Sequence, residues 1–202
     1  MARRRQQTGV TMIEVLITLV IVVFGLLGLI GMQAAAQQAA LESYQRAQAL
    51  VLLNDMVDRI NANRQTAPCY EITIAAGSPF FGTGYAGIPT CSGYGDASTQ
   101  ALAVNGMTEW DNALKGAAET AAGGGSAGAM VGARGCIAYD PAIGTFTVAV
   151  AWQGLVATFA PVVPAGASPD QANAIACGTG QYGSLETKRR VVWTTIRIAT
   201  LT

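Results

Sequence analysis

Residues 15–32 read VLITLVIVVFGLLGLIGM, an apolar run of about eighteen residues with one threonine and no charge, which at helical rise approaches the thickness of a bilayer core. The run predicts a membrane-spanning helix or a targeting segment. Residues 33–64 follow with many Ala, Gln, Leu and Arg and with neither Pro nor Gly, so nothing in them stops the helix. Ala49, Leu50, Leu53, Met56, Val57 and Ile60 recur there at three- and four-residue spacings opposite Asp55, Asp58 and Arg59. That spacing gives a helix one face to pack on a domain. A single helix from residue 10 to about residue 63 would be roughly 80 Å long at 1.5 Å per residue.

The pattern changes period further on. In RGCIAYDPAIGTFTVAVAWQG, which starts at Arg134, strands over 136–139 and 145–152 flank an Asp-Pro-Ala-Ile-Gly turn, a hairpin. Phe146, Val148, Val150 and Trp152 alternate with Thr145, Thr147, Ala149 and Ala151, the period of a half-buried antiparallel strand. RRVVWTTIRI, residues 189–198, supplies a third strand. A sheet packed on Leu53, Met56 and Ile60 would share its core with the helix. Residues 115–135, centred on GGGS, have the composition of a flexible linker, and residues 161–183 read as a second long loop. Phe80, Phe81, Tyr85 and Tyr94 stud residues 69–95; they serve either as an exposed contact surface or as a layer over a small core. The fold class is α+β.

Twelve Lys and Arg balance twelve Asp and Glu. Three of the basic residues, Arg3, Arg4 and Arg5, stand before the apolar run, and after Glu14 the next charge is Glu42. Basic flanks stay cytoplasmic, which places the N-terminus inside and the remainder outside. Without residues 1–9 the chain would be mildly acidic, a poor match to nucleic acid. About 140 residues remain beyond the helix, room for one modest domain. Cys69, Cys91, Cys136 and Cys177 all lie in that part. An even count on an oxidising side predicts two disulfides with three possible pairings. Proximity along the chain and the strand layout favour Cys69 with Cys91 and Cys136 with Cys177. No histidine and no C-x-x-C spacing occurs, so neither a metal nor another cofactor is expected. Catalysis would need a Ser-Lys, Cys or paired-carboxylate arrangement. None is signalled: Ser126 and Ser184 sit in glycine-rich loops, Lys115 and Lys188 are the only lysines, and Asp140 and Asp170 suit turns.

One charge resists this layout. Glu14 stands just inside the apolar run, where a carboxylate is costly unless it is paired or reaches the headgroups. The sequence around it, Gly9-Val10-Thr11-Met12-Ile13-Glu14 followed by Val15-Leu16-Ile17, resembles the prepilin processing motif of type IV pilins and type II secretion pseudopilins. The resemblance implies a dedicated peptidase that cuts after Gly9 and methylates the new N-terminus at Val10, although the family usually has Phe or Met there. It also implies that Glu14 pairs with the amino group of a neighbouring subunit and so sets the register of helices packing in a filament. Gly25, Gly28 and Gly31 in the apolar run either let helices approach closely or loosen the helix.

Within that superfamily the chain is most similar to the PilV-type minor pilins, or type IV pilus modification proteins. The residues carrying this are Asp58-Arg59-Ile60-Asn61-Ala62-Asn63-Arg64, Gly135-Cys136-Ile137, Val150-Ala151-Trp152-Gln153-Gly154, Cys177-Gly178 with Tyr182-Gly183, and Arg189-Arg190-Val191-Val192. The resemblance implies a pilin-like fold with a leader over 1–9, a transmembrane half-helix over 10–33, an amphipathic periplasmic half over 34–64 and a β-rich head over 65–202. It implies an inner-membrane subunit that passes into the pilus, joins other minor pilins and the major pilin, and meets the prepilin peptidase, the assembly platform and, before assembly, membrane lipid. Priming of assembly, adhesion and twitching motility are the implied roles. Three alternatives compete: a type II secretion pseudopilin, a membrane-anchored binding module outside any filament, and an ordinary secretory signal cleaved near Ala34-Ala35-Ala36. The last has no use for Glu14.

Overall fold

In the computed structural model, which describes residues 9, 11–85, 87–117, 130–184 and 186–198, helix α1 runs from Met12 to Ala62. Two compact units meet along it, between Leu41 and Glu42. The described part of the first unit is Gly9, Thr11 and helix, and its apolar side chains from Met12 to Leu41 are exposed.

The second unit is built on the remainder of α1. Ala49, Leu53, Met56 and Ile60 are buried, whereas Leu50, counted on the same face in the sequence, is 43% exposed and points away from the core. After α1 come a 3-10 turn (Arg64–Tyr70), β1 (Phe81–Gly82), α2 (Ala97–Leu114), β2 (Arg134–Asp140), β3 (Thr145–Gln153), α3 (Pro169–Ile175) and β4 (Arg189–Arg197). The strands form one antiparallel sheet in the order β1-β2-β3-β4. Register runs from Asp140 opposite Thr145 to Arg134 opposite Ala151 in the hairpin, and from Thr145 opposite Arg197 to Gln153 opposite Arg189 in the next pair.

Both faces of β3 are covered, which corrects the expectation of a half-buried strand, whereas Trp193, Thr195 and Arg197 leave the second face of β4 exposed. On one face Ile137, Phe146, Val148, Val150 and Trp152 share a core with α1 and with Ala103, Met107, Trp110 and Leu114 of α2. On the other, Cys136, Ala138, Ala149 and Ala151 pack against Ala174, Cys177 and Tyr182. The small side chains there let the short helix α3 come close. Two further corrections concern helices: α2 occupies residues with no sequence assignment, and α3 lies inside the span 161–183 read as loop. Capping explains both starts. Asp96 and Thr99 form a reciprocal capping box at α2, and Ser168 Oγ accepts the Gln171 N–H at α3 ahead of Pro169.

Two disulfides tie the unit together, Cys69–Cys91 and Cys136–Cys177, with Cα separations of 5.2 and 5.6 Å. Of the aromatic loop, Phe81 is fully buried and Phe80 and Tyr85 pack against the cores, while Tyr94 is exposed. The loop is mainly a covering layer. Residues 118–129, the centre of the linker-like stretch, lie outside the described residues.

Candidate assembly and processing site

The N-terminal end of α1 is built by local backbone rules. Thr11 closes the first turn, its carbonyl accepting the N–H groups of Glu14 at 3.1 Å and Val15 at 3.3 Å. Glu14 therefore falls in the first turn of the helix, where the exposed N–H groups favour a negative charge. Its side chain is exposed, and no ion pair is made to it among the described residues. Gly9 is exposed and outside the helix. Val10 and Arg3–Arg5, expected from the sequence to be the mature N-terminus and part of a basic leader, lie outside the described residues.

Beyond Glu14 the helix carries no charge and a single hydroxyl until residue 33. Eighteen consecutive residues of α1 average a hydropathy of 2.9 with none of them buried, and the helix is long enough to cross a bilayer. Thr18, the one polar side chain in the run, donates its hydroxyl to the Val15 carbonyl at 2.8 Å, which satisfies it without water. A Cβ added at Gly25, Gly28 or Gly31 would meet nothing within 4 Å. These glycines make no close approach within the chain, and their notched face is available to another helix.

In the second unit, polar groups act as fasteners. Arg59 of α1 pairs with Asp55 at 2.9 Å and with Glu109 of α2 at 2.6 Å. Asp111, 5% exposed, accepts the Gly82 N–H at 2.7 Å and pairs with Lys115 at 2.6 Å, and Lys115 also donates to the Tyr85 carbonyl at 3.0 Å. One carboxylate thus joins α2 to β1 and the aromatic loop. Arg134 lies between the rings of Phe80 and Tyr182, 5.1 and 4.9 Å from their centroids. Burial pushes the Tyr182 hydroxyl above its ordinary pKa, and that hydroxyl donates to the Gly132 carbonyl at 2.8 Å. Arg189, buried, pairs with Glu186 and donates to the Ile175 carbonyl at 3.0 Å.

Sequence reasoning missed these fasteners, because what each ties together, Arg59 to Glu109, Asp111 to Gly82, Tyr182 to Gly132 and Arg189 to Ile175, lies well apart in the chain. The i,i+4 spacings of Asp55 with Arg59 and of Asp111 with Lys115, and the i,i+3 spacing of Glu186 with Arg189, were the local signs. Of the polar residues weighed for catalysis, Lys115 is committed to Asp111, Asp140 accepts the Ala142 N–H at 3.0 Å within its turn, and Asp170 lies in the first turn of α3. Ser126 lies outside the described residues. Among the described residues no group of three or more Cys, Asp or Glu is placed to hold a metal.

Two adjoining family matches together span residues 4–107, with β2, β3, α3 and β4 beyond them. The prokaryotic N-terminal methylation motif matches residues 4–30, which contain Gly9, Glu14 and most of the apolar run. The family described as type IV pilin Tt1218 matches residues 31–107, which take in the rest of α1, the Cys69–Cys91 disulfide and α2 as far as Met107. Neither a curated protein nor a solved structure gives a significant match to the chain. A long apolar N-terminal helix carrying the methylation motif, continued into an α+β unit with a four-stranded antiparallel sheet, identifies the chain as a type IV pilin-like protein.

Proposed function

We propose that the chain is a minor pilin of a type IV pilus, closest to the PilV-type subunits, incorporated at or near the tip with other minor pilins to prime assembly and to support adhesion or twitching motility. The observation that carries the reading is Glu14, an exposed carboxylate in the first turn of a helix whose next eighteen residues are uncharged, apolar but for Thr18, and uncovered. Such a surface needs other helices or lipid around it, and such a carboxylate needs a cation. Cleavage after Gly9 would make that cation, the α-amino group of Val10, with an ordinary pKa near 8. On a neighbouring subunit it would pair with Glu14 and favour one axial register.

The parts follow the same reading. Residues 1–9 are a leader removed by prepilin peptidase, 10–33 span the inner membrane with the N-terminus in the cytoplasm, 34–64 enter the periplasm, and 65–202 form the head. Pilin domains are structural, and we read this head as choosing its neighbours and performing no chemistry, with the assembly platform supplying the work.

The test is the intact mass and N-terminal sequence of the chain recovered from the envelope of its host. The expected chain begins at N-methylated Val10 and co-purifies with minor pilins. Co-purification with a type II secretion apparatus would move it to the pseudopilins, and a chain beginning at Gln37 or retaining Arg3–Arg5 would end the pilin-pathway reading. Glu14→Ala then tests the pairing. A pair worth roughly 1–2 kcal/mol, between exposed and buried pairs, corresponds to an incorporation defect of roughly 5–30-fold with processing intact. Normal incorporation of the variant would remove Glu14 from the assembly mechanism.

A further inference from the structure

Between β3 and α3 the chain carries no charge from Gly154 to Pro169, and its apolar side chains face outward. Leu155, Val156, Val162 and Val163 are exposed, and Phe159 is 95% exposed. A phenyl ring left in water forgoes the largest burial gain available to the loop. The side chains are nonetheless presented on a fixed frame. The Gly154 N–H donates to the Lys188 carbonyl at 2.7 Å and the Thr158 N–H to the Thr187 carbonyl at 2.8 Å. Glu42 Oε1 accepts the Val156 N–H at 3.2 Å and pairs with Arg190 at 3.3 Å, and Arg190 returns to the Val156 carbonyl at 2.6 Å. Gly154 admits this arrangement because a Cβ there would lie 2.7 Å from the Arg190 guanidinium carbon.

The position of the loop selects its partner. It leaves the sheet at the Gln153 end of β3, the end opposite the β2–β3 turn, so about 25 Å of strand separates it from Ile143. It is fastened to Glu42, and ten residues link Glu42 to Met32 at the end of the apolar run. Even fully extended, that tether is at most ~35 Å, so the loop is held within reach of the membrane that the run crosses. Lys188, whose carbonyl takes the Gly154 N–H, and Arg46, one helical turn beyond Glu42 on α1, are exposed, basic groups suited to lipid phosphates. Pro161 and Pro164 bracket Val162 and Val163 and leave no N–H of their own to satisfy.

We propose that residues 155–163 are an interfacial wedge, seating the second unit on the bilayer surface while the subunit waits in the membrane. The proposal rests on the reading that residues 10–33 span that bilayer.

Tryptophan quenching separates the two. The full chain, with Phe159→Trp, Phe24→Trp or Ile143→Trp, is reconstituted in phosphatidylcholine–phosphatidylglycerol vesicles with and without lipid brominated near the top of its acyl chains. Emission is read as a difference from the unsubstituted chain. At the interfacial depth of roughly 5–10 Å, the indole at position 159 should lose about half its emission to brominated lipid, a twofold change, and resist aqueous iodide. The indole at 24 should be quenched by brominated lipid, and that at 143 by iodide alone. If 24 responds to lipid while 159 behaves like 143, the wedge is wrong and the spanning helix stands. Protection of 159 from both quenchers that fades as protein is diluted in lipid would assign the loop to a second copy and also overturn the wedge. If 24 is not quenched by lipid, both readings fall.

Discussion

A methyl group has no room at position 135. A Cβ on Gly135 would lie 2.1 Å from the Trp110 ring and 2.8 Å from a Leu114 methyl. The ring is held on three sides: Trp110 is fully buried, its indole N–H donates to the Leu52 carbonyl of α1 at 2.8 Å, and Phe81 meets it edge-on with centroids 5.7 Å apart. Moving aside would break the hydrogen bond or open the edge contact. Gly135→Ala should therefore lower the unfolding free energy by about 1–3 kcal/mol, the usual range for overpacking, measured by urea denaturation of the full chain in mild detergent. An unchanged midpoint would show that α2 can shift as a body, and that Trp110 is less firmly held than its contacts imply. The same residue marks where reading from sequence stops. Gly135-Cys136-Ile137 is visible as a family-like tripeptide, but the reason for the glycine is a tryptophan 25 positions away, and nothing local points to it.

At the scale of elements, α2 depends on its first turn. Asp96 Oδ1 accepts the N–H groups of Ser98 and Thr99, both at 2.9 Å, and the Ser98 hydroxyl at 2.6 Å, while Thr99 Oγ1 accepts the Asp96 N–H at 2.9 Å. The hydrogen bond from the Ser98 side chain, followed by those from Thr99, holds the Asp96 carboxyl at about 2, against an ordinary 3.8. A lowered folded-state pKa means a contribution fully present above the ordinary value and lost as pH falls through about 2. Asp96→Ala should melt below the parent at neutral pH, and the gap between the two should narrow as pH drops from about 4 towards 2. Thermal melts across that range check it, and a gap independent of pH would take the carboxylate out of the cap. The cap and the spacing of Ala103, Met107, Trp110 and Leu114 were both present in the sequence. Asn105, Gly106 and Thr108 dilute helix propensity between them, and it is packing on α1 and the sheet that decides the helix. Helix α1, the hairpin and β4 were legible because each carries an unbroken period over many residues, and the processing motif because it is contiguous. The two-residue β1 exists through pairing with Arg134 and Gly135, and α3 is too short for a period to show. The covered second face of β3 was hidden for another reason. Ala149 and Ala151 are as compatible with solvent as with an overlying helix, and only α3 settles which.

For the whole molecule, the two disulfides divide the work unequally. Cys69–Cys91 spans 22 residues and joins the 3-10 turn after α1 to the chain leading into α2; Cys136–Cys177 spans 41 and ties the sheet to the segment after α3. Loop closure alone predicts nearly equal contributions, about 3.5 and 4 kcal/mol, since the entropy grows only with the logarithm of length. Surroundings separate them. Cys136 and Cys177 are both fully buried among Ala138, Ala149, Ala151 and Ala174, whereas Cys69 and Cys91 are partly exposed. Removing two buried sulfurs from a layer of alanines leaves a void that those side chains are too short to fill, a further loss of about 1 kcal/mol. Replacement of each pair by alanine should therefore destabilise the chain by about 3–5 kcal/mol, with Cys136→Ala/Cys177→Ala the more severe. Denaturation in detergent, followed through the buried Trp110 and Trp152, measures both on one scale. Equal losses would mean that the α3 layer collapses onto the sheet and closes the void. The reverse order would mean that the segment between α1 and α2, which carries the buried Phe81 and the Asp111 contact to Gly82, holds the second unit together more than the helix lying on the far face of the sheet.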